Sequence, residues 1–276
     1  METTQKKAGN HPLLHPAIRF AALATLAILG SLPSAAHAGL PGHPSPEKNK
    51  KTSTASSKKR GYSSHDAEWK EILATRLSHA KELLGRAYRK SIAGIEEDER
   101  EYHEFLLNRI QSALPDHYKR QAKKIHHTLL VESKKHGFDP AFLVAVIENE
   151  SSFNPLIRGT SGEIGLMQVL PSTAKWTAKK IKLPWKGAKS LEDPITNIRI
   201  GAAFLAHLRG EFDYHGRLYL SAYNMGTRNV RKALERRVMP KDYAGRVMQK
   251  YLQFYEDLRT ELTAPSRVIA GKKDAA

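Results

Sequence analysis

The sequence has no cysteine among its 276 residues, and this absence excludes several kinds of chemistry. Disulfide bonds, thiolate nucleophiles, cysteine-ligated zinc or iron–sulfur centres and a cysteine-linked lipid anchor are all ruled out. The H-E-x-x-H zinc motif is also missing, and His126 and His127 are adjacent instead of being spaced along a helix face. We therefore expect neither a metal nor another cofactor, and a fold held together by its hydrophobic core alone.

Acidic residues are few relative to basic ones. Asp and Glu number 28 against 45 Lys and Arg, which gives a formal charge of +17. Such a charge predicts an anionic partner, but it does not by itself separate nucleic acid from an anionic polymer of the cell envelope. Because no nucleic-acid-reading motif is present, we expect no nucleic-acid partner.

The apolar run near the N-terminus is too short to be a comfortable membrane span. It covers 13 residues, Phe20 to Leu32, whereas a spanning helix needs about 20. Lys6, Lys7 and Arg19 precede it, and the small-residue pattern Ala36-His37-Ala38 follows. This arrangement predicts a signal peptide over residues 1–38, and the alternative is an uncleaved N-terminal anchor. We expect export to the periplasm or beyond, with no stable membrane span after cleavage.

The rest of the chain divides by composition and hydrophobic spacing. Residues 39–65 are rich in Pro, Ser, Thr and Lys and predict a flexible basic linker. Apolar residues at three- and four-residue steps predict a two-helix hairpin over 66–114. A main domain is expected over 115–260, followed by a flexible tail over 261–276.

The main domain reads as mainly α. Asp139-Pro140 and Asp193-Pro194 each place an N-cap residue before a proline at the first helical position. Helices are predicted at 117–136 and after both prolines, and shorter ones at 217–224, 226–236 and 241–259. Only 165–170 reads as extended chain. Strands and helices do not alternate, and this pattern does not favour a parallel-sheet enzyme.

Two glutamates end the apolar helix that begins at Pro140. Helical spacing puts Glu150 on the face of Leu143, Val146 and Ile147, whereas Glu148 points elsewhere and can reach solvent or a cation. A carboxylate among apolar side chains is held toward its protonated form, as a general acid must be near neutral pH. The alternative for Glu150 is an ion pair at a helix C-terminus, and spacing alone does not decide between the two.

Two further motifs are weak when taken singly. In Gly162-Glu-Ile-Gly-Leu-Met-Gln168, the glycines allow close backbone approach, Gln168 offers a donor and an acceptor, and Met167 offers an adaptable apolar surface. In Ser221-Ala-Tyr-Asn-Met-Gly226, Tyr223 and Asn224 stand where a helix ends at glycine. The ordinary interpretations are turn-and-core sequence for the first motif, and a core tyrosine with an asparagine C-cap for the second.

Taken together, the motifs resemble one family. "IENESSFNP", "GEIGLMQVLPSTA", "DPITNIRIGAAFLAHL" and "SAYNMG" occur in the order and spacing of the soluble-lytic-transglycosylase-like (SLT) domain, over about residues 117–258. The resemblance implies a lysozyme-like fold and cleavage of bacterial peptidoglycan. It implies one catalytic acid, Glu150, and substrate-binding positions at Ser151, Met167, Gln168, Tyr223, Asn224 and Tyr243.

Tyr243 is the loosest of these matches, and two positions depart from the family pattern. Gly159 stands where many members have serine, and Glu163 stands where a small residue is common, so Glu163 is a candidate second acid. As a second acid it would favour lysozyme-like hydrolysis, and its alternative is a surface acid in a turn.

The resemblance implies a lytic transglycosylase acting on the MurNAc–GlcNAc β-1,4 bond and leaving 1,6-anhydroMurNAc ends. A hydrolytic muramidase and a non-catalytic peptidoglycan-binding scaffold are the alternatives. The expected partner is the peptidoglycan glycan strand. A flagellar, pilus or secretion apparatus is a further candidate partner that the sequence does not select.

Overall fold

The structure is a computed structural model that describes residues 64–94 and 98–264. The predicted signal peptide, nearly all of the predicted linker and residues 265–276 lie outside the described residues. Within them, extended structure is limited to isolated bridges of Ile164 with Arg158 and Val169, and the predicted mainly α class is confirmed. The α-helices are α1 (Ser64–Leu84), α2 (Glu99–Ala113), α3 (Ala122–His136), α4 (Pro140–Glu150), α5 (Pro171–Lys180), α6 (Pro194–Glu211), α7 (Gly216–Met225), α8 (Thr227–Glu235) and α9 (Asp242–Thr263).

Both helix starts predicted from Asp-Pro pairs are present. The Asp139 carboxylate accepts a hydrogen bond from the backbone N–H of Ala141 at 2.9 Å, and Asp193 accepts one from Thr196 at 2.8 Å. Each pair therefore supplies an N-cap acceptor and then a proline whose missing N–H needs no partner. Gly137 ends α3 with φ of +67°, a conformation that glycine adopts without steric cost.

The predicted boundaries differ from the observed ones in three places. The helix expected over 117–136 begins as a 3₁₀ segment, Asp116–Gln121, and becomes α-helical only at Ala122. Helix α5 was not predicted, since Pro171-Ser-Thr reads as a turn. Helix α9, predicted over 241–259, continues to Thr263.

Helix α4 is the centre of the core. Every residue from Pro140 to Ile147 is buried, and the helix packs between α3 and α9. The side of the helix that carries Glu148 is also buried along this stretch, with Ala141 and Val144 fully enclosed. A helix that is apolar all round is stable only inside the protein, so α4 holds its last residue, Glu150, at a fixed place relative to the surrounding helices.

A buried polar network joins the N-terminal helices to the start of α4. Asp139 is fully buried, and three tyrosine hydroxyls donate to its carboxylate: Tyr102 at 3.3 Å, Tyr251 at 2.7 Å and Tyr255 at 2.6 Å. The backbone N–H of Asp139 donates to Nδ1 of the buried His79 at 3.1 Å. Helices α1 and α2 thus share a core with the chain beyond residue 115, although the division of the chain into domains stays a prediction.

Among the described residues, none of the helices combines the length and the apolar character that crossing a membrane requires.

Candidate active site

Glu150 is the last residue of α4, at the point where the helix leaves the core. The chain turns sharply after it, since Ser152 and Phe153 both have positive φ, +49° and +61°. The Ser151 hydroxyl is buried and donates to the carbonyl oxygen of Leu166 at 2.7 Å. Glu150 is therefore placed by a rigid helix and by a serine that ties the end of that helix to the loop carrying Met167 and Gln168.

The carboxyl of Glu150 has an environment suited to carrying a proton. The hydroxyl of Tyr243, in the first turn of α9, donates a hydrogen bond to its Oε1. Burial raises the pKa of Glu150 to about 7; the hydrogen bond from Tyr243 and the charge of Arg246 oppose this shift, while the charge of Glu163 adds to it. A carboxyl with such a pKa is part protonated and part ionised near neutral pH, so it can give up a proton and take one back.

Glu148 has a different role. Its Oε1 accepts a hydrogen bond from Nε of Arg109 at 2.7 Å, and the same guanidinium donates to Asp257 at 2.5 Å. The cation expected for Glu148 is therefore supplied by Arg109 of α2. An ion pair near the helix C-terminus, the alternative considered for Glu150, is instead formed by Glu148. The helix period turns the two acids toward different neighbours.

The loop between α4 and α5 is held by its own polar groups. Nε2 of Gln168 donates to the carbonyl oxygens of Ile157 at 3.1 Å and Gly165 at 2.9 Å. Gln168 has φ of +45° and Gly165 has φ of +83°, and a Cβ added to Gly165 would lie 2.3 Å from Nδ2 of Asn197. These bonds engage the amide nitrogen of Gln168, and its Oε1 lies beside Gly159.

Asn197 fixes the same loop from α6, and sequence reasoning did not single it out. It is fully buried. Its Oδ1 accepts from the backbone N–H of Met167 at 2.8 Å, and its Nδ2 donates to the carbonyl oxygens of Ile164 at 2.8 Å and Leu191 at 2.9 Å. The available signal was an asparagine beside Ile198 in an apolar helix, since a buried amide needs several partners.

Met167 and the tyrosine of α7 complete one wall of the site. The side chain of Met167 is buried against Gly201, where an added Cβ would lie 2.5 Å from the methionine sulfur. The Tyr223 hydroxyl donates to the Met167 carbonyl oxygen at 2.7 Å. Burial, and then the charge of Glu150, raise the pKa of Tyr223 well above its usual value. Tyr223 therefore stays a neutral donor beside the acid.

Glu163 is partly buried and turned inward along the loop. The backbone N–H of Ser161 donates to its Oε2 at 3.0 Å. A Cβ at Gly159 would lie 2.3 Å from that oxygen and 3.0 Å from Oε1 of Gln168. The two departures from the family pattern are thus linked, because the missing side chain at 159 leaves the space that the Glu163 carboxylate occupies.

The structure brings most of the predicted site residues together. Glu150, Tyr243, Tyr223, Met167, Gln168 and Glu163 are joined by the contacts and charge effects described above, and Ser151 lies beneath them. Asn224 is exposed one residue after Tyr223, and the helix cap there is Gly226, with φ of +82°. The described residues contain no group of three or more His, Cys, Asp or Glu side chains placed to hold a metal ion. The functional role of each site residue stays a prediction.

Comparison with known proteins finds a family match over the segment that carries this site. Residues 128–244 match the family model described as the transglycosylase SLT domain. The chain is therefore similar to SLT-domain proteins over this segment. A relative from Haemophilus influenzae is 41% identical over 95 residues, 34% of this chain and 16% of that protein. The soluble lytic murein transglycosylase of Escherichia coli K12 is 35% identical over 92 residues, 33% of this chain and 14% of that protein.

Other matches cover a larger share of the chain. Membrane-bound lytic murein transglycosylase C of Sodalis glossinidius is 31% identical over 132 residues, 45% of this chain and 37% of that protein. Among solved structures, an inactive mutant of the lytic transglycosylase Slt from Pseudomonas aeruginosa is 26% identical with a TM-score of 0.46, covering 71% of this chain and 33% of that chain. The alignments with these curated relatives cover between 14% and 37% of the relatives' own lengths.

Proposed function

We propose that the protein is a peptidoglycan lytic transglycosylase that cleaves the β-1,4 bond between N-acetylmuramic acid and N-acetylglucosamine. The observation that carries the proposal is the Glu150 carboxyl, which lies partly buried at the end of α4, accepts a hydrogen bond from Tyr243 and has a pKa raised to about 7. The SLT domain and the names of the relatives support the reaction class, and they do not favour the hydrolytic and scaffold alternatives.

In the proposed reaction, the first step is proton transfer. Protonated Glu150 donates to the glycosidic oxygen as the bond from C1 of the muramyl unit breaks, so the departing sugar leaves as a neutral alcohol. The muramyl acetamide stabilises the positive charge that develops at C1, and this substrate-assisted route needs no second enzymic carboxylate. The single well-placed acid at Glu150 fits that requirement.

The second step returns the proton. Ionised Glu150 removes the proton of the 6-hydroxyl of the same muramyl unit, and that oxygen attacks C1. The product carries a 1,6-anhydro ring, and no water is consumed. In this scheme Tyr243 orients the acid, the Oε1 of Gln168 accepts from the acetamide N–H, and Tyr223 and Asn224 contact the sugar.

The proposal extends to place and partners. The relatives named as soluble and membrane-bound murein transglycosylases support an envelope enzyme, and we propose that a signal peptide over residues 1–38 exports it to the periplasm. The charge of +17 favours adsorption to anionic envelope polymers, an effect that salt would screen. An association with a flagellum, pilus or secretion system stays a prediction.

Mass spectrometry of digested peptidoglycan tests the reaction. Wild-type protein should release muramyl ends lighter by one water than reducing ends, and Glu150→Gln should release none while still sedimenting with peptidoglycan. Reducing ends alone would assign the chain to hydrolysis. Lysis that survives in the Gln variant would remove Glu150 from the reaction.

A further inference from the structure

Trp176 is a large aromatic side chain on the surface next to the site. It lies in α5, the helix that begins three residues after Gln168, and 40% of it is exposed. A tryptophan is costly to leave in water, and exposed aromatic side chains are typical of binding surfaces because they offer a large, rigid contact area. Because α5 follows directly from the loop that carries Met167 and Gln168, the position of Trp176 is coupled to the site.

A series of aromatic rings connects Trp176 to the proposed catalytic residues. Its ring meets Phe204 of α6 edge-on, with centroids 6.4 Å apart, and Phe204 lies 5.7 Å from the ring of Tyr223. Tyr223 in turn donates to the backbone of Met167. The exposed indole thus packs, through Phe204, against the tyrosine that contacts the loop beside Glu150.

The surface around Trp176 is basic. The ammonium of Lys180, one turn further along α5, lies 4.2 Å from the indole centroid, and α5 contains no acidic residue. His207 of α6 packs on the same indole at 4.8 Å, and burial, followed by the charge of Lys180, lowers its pKa. An aromatic face with a cation beside it is complementary to a sugar that bears a carboxylate, since the ring packs on the C–H face and the ammonium pairs with the anion.

We propose that Trp176 and Lys180 form an additional subsite for the glycan strand of peptidoglycan, outside the cleavage site. Trp176 packs against a sugar ring, and Lys180 moves off the indole to pair with the carboxylate of a muramyl unit or its stem peptide. This inference rests on the proposed function and adds a preference for long strands over short fragments, because only a long strand reaches both the cleavage site and α5.

Binding measured in the Glu150→Gln background tests the subsite without cleavage. The probes are the disaccharide and the hexasaccharide of β-1,4-linked N-acetylglucosamine. Trp176→Ala should weaken hexasaccharide binding about tenfold, in the range that loss of one aromatic stacking contact gives. Disaccharide binding should not change, and Trp176→Phe should keep most of the hexasaccharide affinity.

Two matched variants make the result specific. Tyr214 is also an exposed aromatic, at 59%, but it lies beyond the far end of α6 from Asn197, so Tyr214→Ala should bind both probes like the parent. Lys180→Gln should leave binding of the uncharged hexasaccharide unchanged. It should weaken binding of muramyl-containing strands, and more strongly at low salt.

Three outcomes would contradict the proposed subsite. Equal hexasaccharide binding by parent and Trp176→Ala, an equal loss for both probe lengths, or the same loss in Tyr214→Ala would each contradict it. Failure of the proposed function is seen separately, as absence of anhydro ends from the wild-type protein. In the active enzyme, Trp176→Ala should raise KM for long strands and leave kcat unchanged.

Discussion

The hydroxyl of Tyr243 donates a hydrogen bond to the carboxyl of Glu150, and this contact joins the last turn of α4 to the first turn of α9. Burial, followed by the charge of Glu150, raises the pKa of Tyr243 well above its usual value, so the phenol stays a neutral donor wherever the acid works. The tyrosine therefore fixes the orientation of the carboxyl, and it also lowers the pKa of Glu150 by favouring the ionised form.

Tyr243→Phe should separate these two effects. Loss of the hydrogen bond removes a stabiliser of the carboxylate, so the pKa of Glu150 should rise and the high-pH limb of the activity profile should move to higher pH. Turnover at the optimum should fall about tenfold, because the acid loses its orientation. The pH dependence of kcat measures both changes, and a limb that moves to lower pH would contradict the contact described here.

The pH dependence of wild type follows from the raised pKa of Glu150. Since the donor must be protonated, activity should fall as pH rises through about 7. A carboxyl whose pKa is higher in the folded than in the unfolded chain contributes stability below the unfolded value, near 4.5, and loses it as pH rises through about 7. Glu150→Gln cannot ionise, so its melting temperature relative to wild type should be higher at pH 8 than at pH 4.5. An equal difference at both pH values would show that burial does not shift this acid.

Glu163 and Gly159 should act as a pair. The negative charge of Glu163 raises the pKa of Glu150, so Glu163→Gln should move the high-pH limb of activity to lower pH. Gly159→Ala should move it in the same direction, because the added Cβ would lie 2.3 Å from Oε2 of Glu163 and would displace the carboxylate.

A double-mutant cycle supplies the control for this pair. In a Glu163→Ala background, Gly159→Ala should leave the pH limb almost unchanged, since the group it displaces is absent. A shift of the same size in both backgrounds would mean that Gly159 acts through Gln168 instead.

Asn197 should be among the costliest polar residues to replace. Asn197→Ala leaves the N–H of Met167 and the carbonyls of Ile164 and Leu191 without their buried partner, and we expect a loss of about 3 kcal/mol in the free energy of unfolding. Asn197→Asp is the matched control. It keeps the acceptor for Met167 but presents an oxygen to two carbonyl oxygens, so it should not rescue stability. Chemical denaturation measures both variants, and a stable Asp variant would contradict the assigned amide orientation.

Local sequence signals predicted the features that depend on neighbouring residues. The Asp-Pro pairs predicted where α4 and α6 begin, because an N-cap acceptor and a proline at the first helical position act within one turn. The helix period predicted that Glu150 and Glu148 face different surroundings. The prediction of extended chain over 165–170 was wrong. Gly165 and Gln168 form a tight turn with positive φ, held by side-chain bonds to the backbone.

Features built across long separations were not predictable in the same way. Asn197 lies 30 residues from Met167, and Arg109 lies 39 residues from Glu148. Neither contact leaves a periodic pattern, and Arg109 occupies a position that looks apolar by spacing. Helix α5 was missed for the opposite reason, since its first turn, Pro171-Ser-Thr, has the local composition of a loop. Only the packed structure shows that its indole packs against Phe204, which packs in turn on Tyr223.

The buried carboxylate of Asp139 determines how long a segment of this protein must be if it is to fold when transferred to another chain. Its partners His79 and Tyr102 come from α1 and α2, whereas the match to the SLT domain begins only at residue 128. A piece trimmed to the matched residues would lack these partners, so the buried carboxylate at the start of α4 would be exposed to water. Glu150, at the other end of the same helix, would then lose part of the packing that holds it in place. The segment that matches the family model is therefore shorter than the segment that packs as one core, and a transplanted or recombined piece of this protein has to include the longer segment.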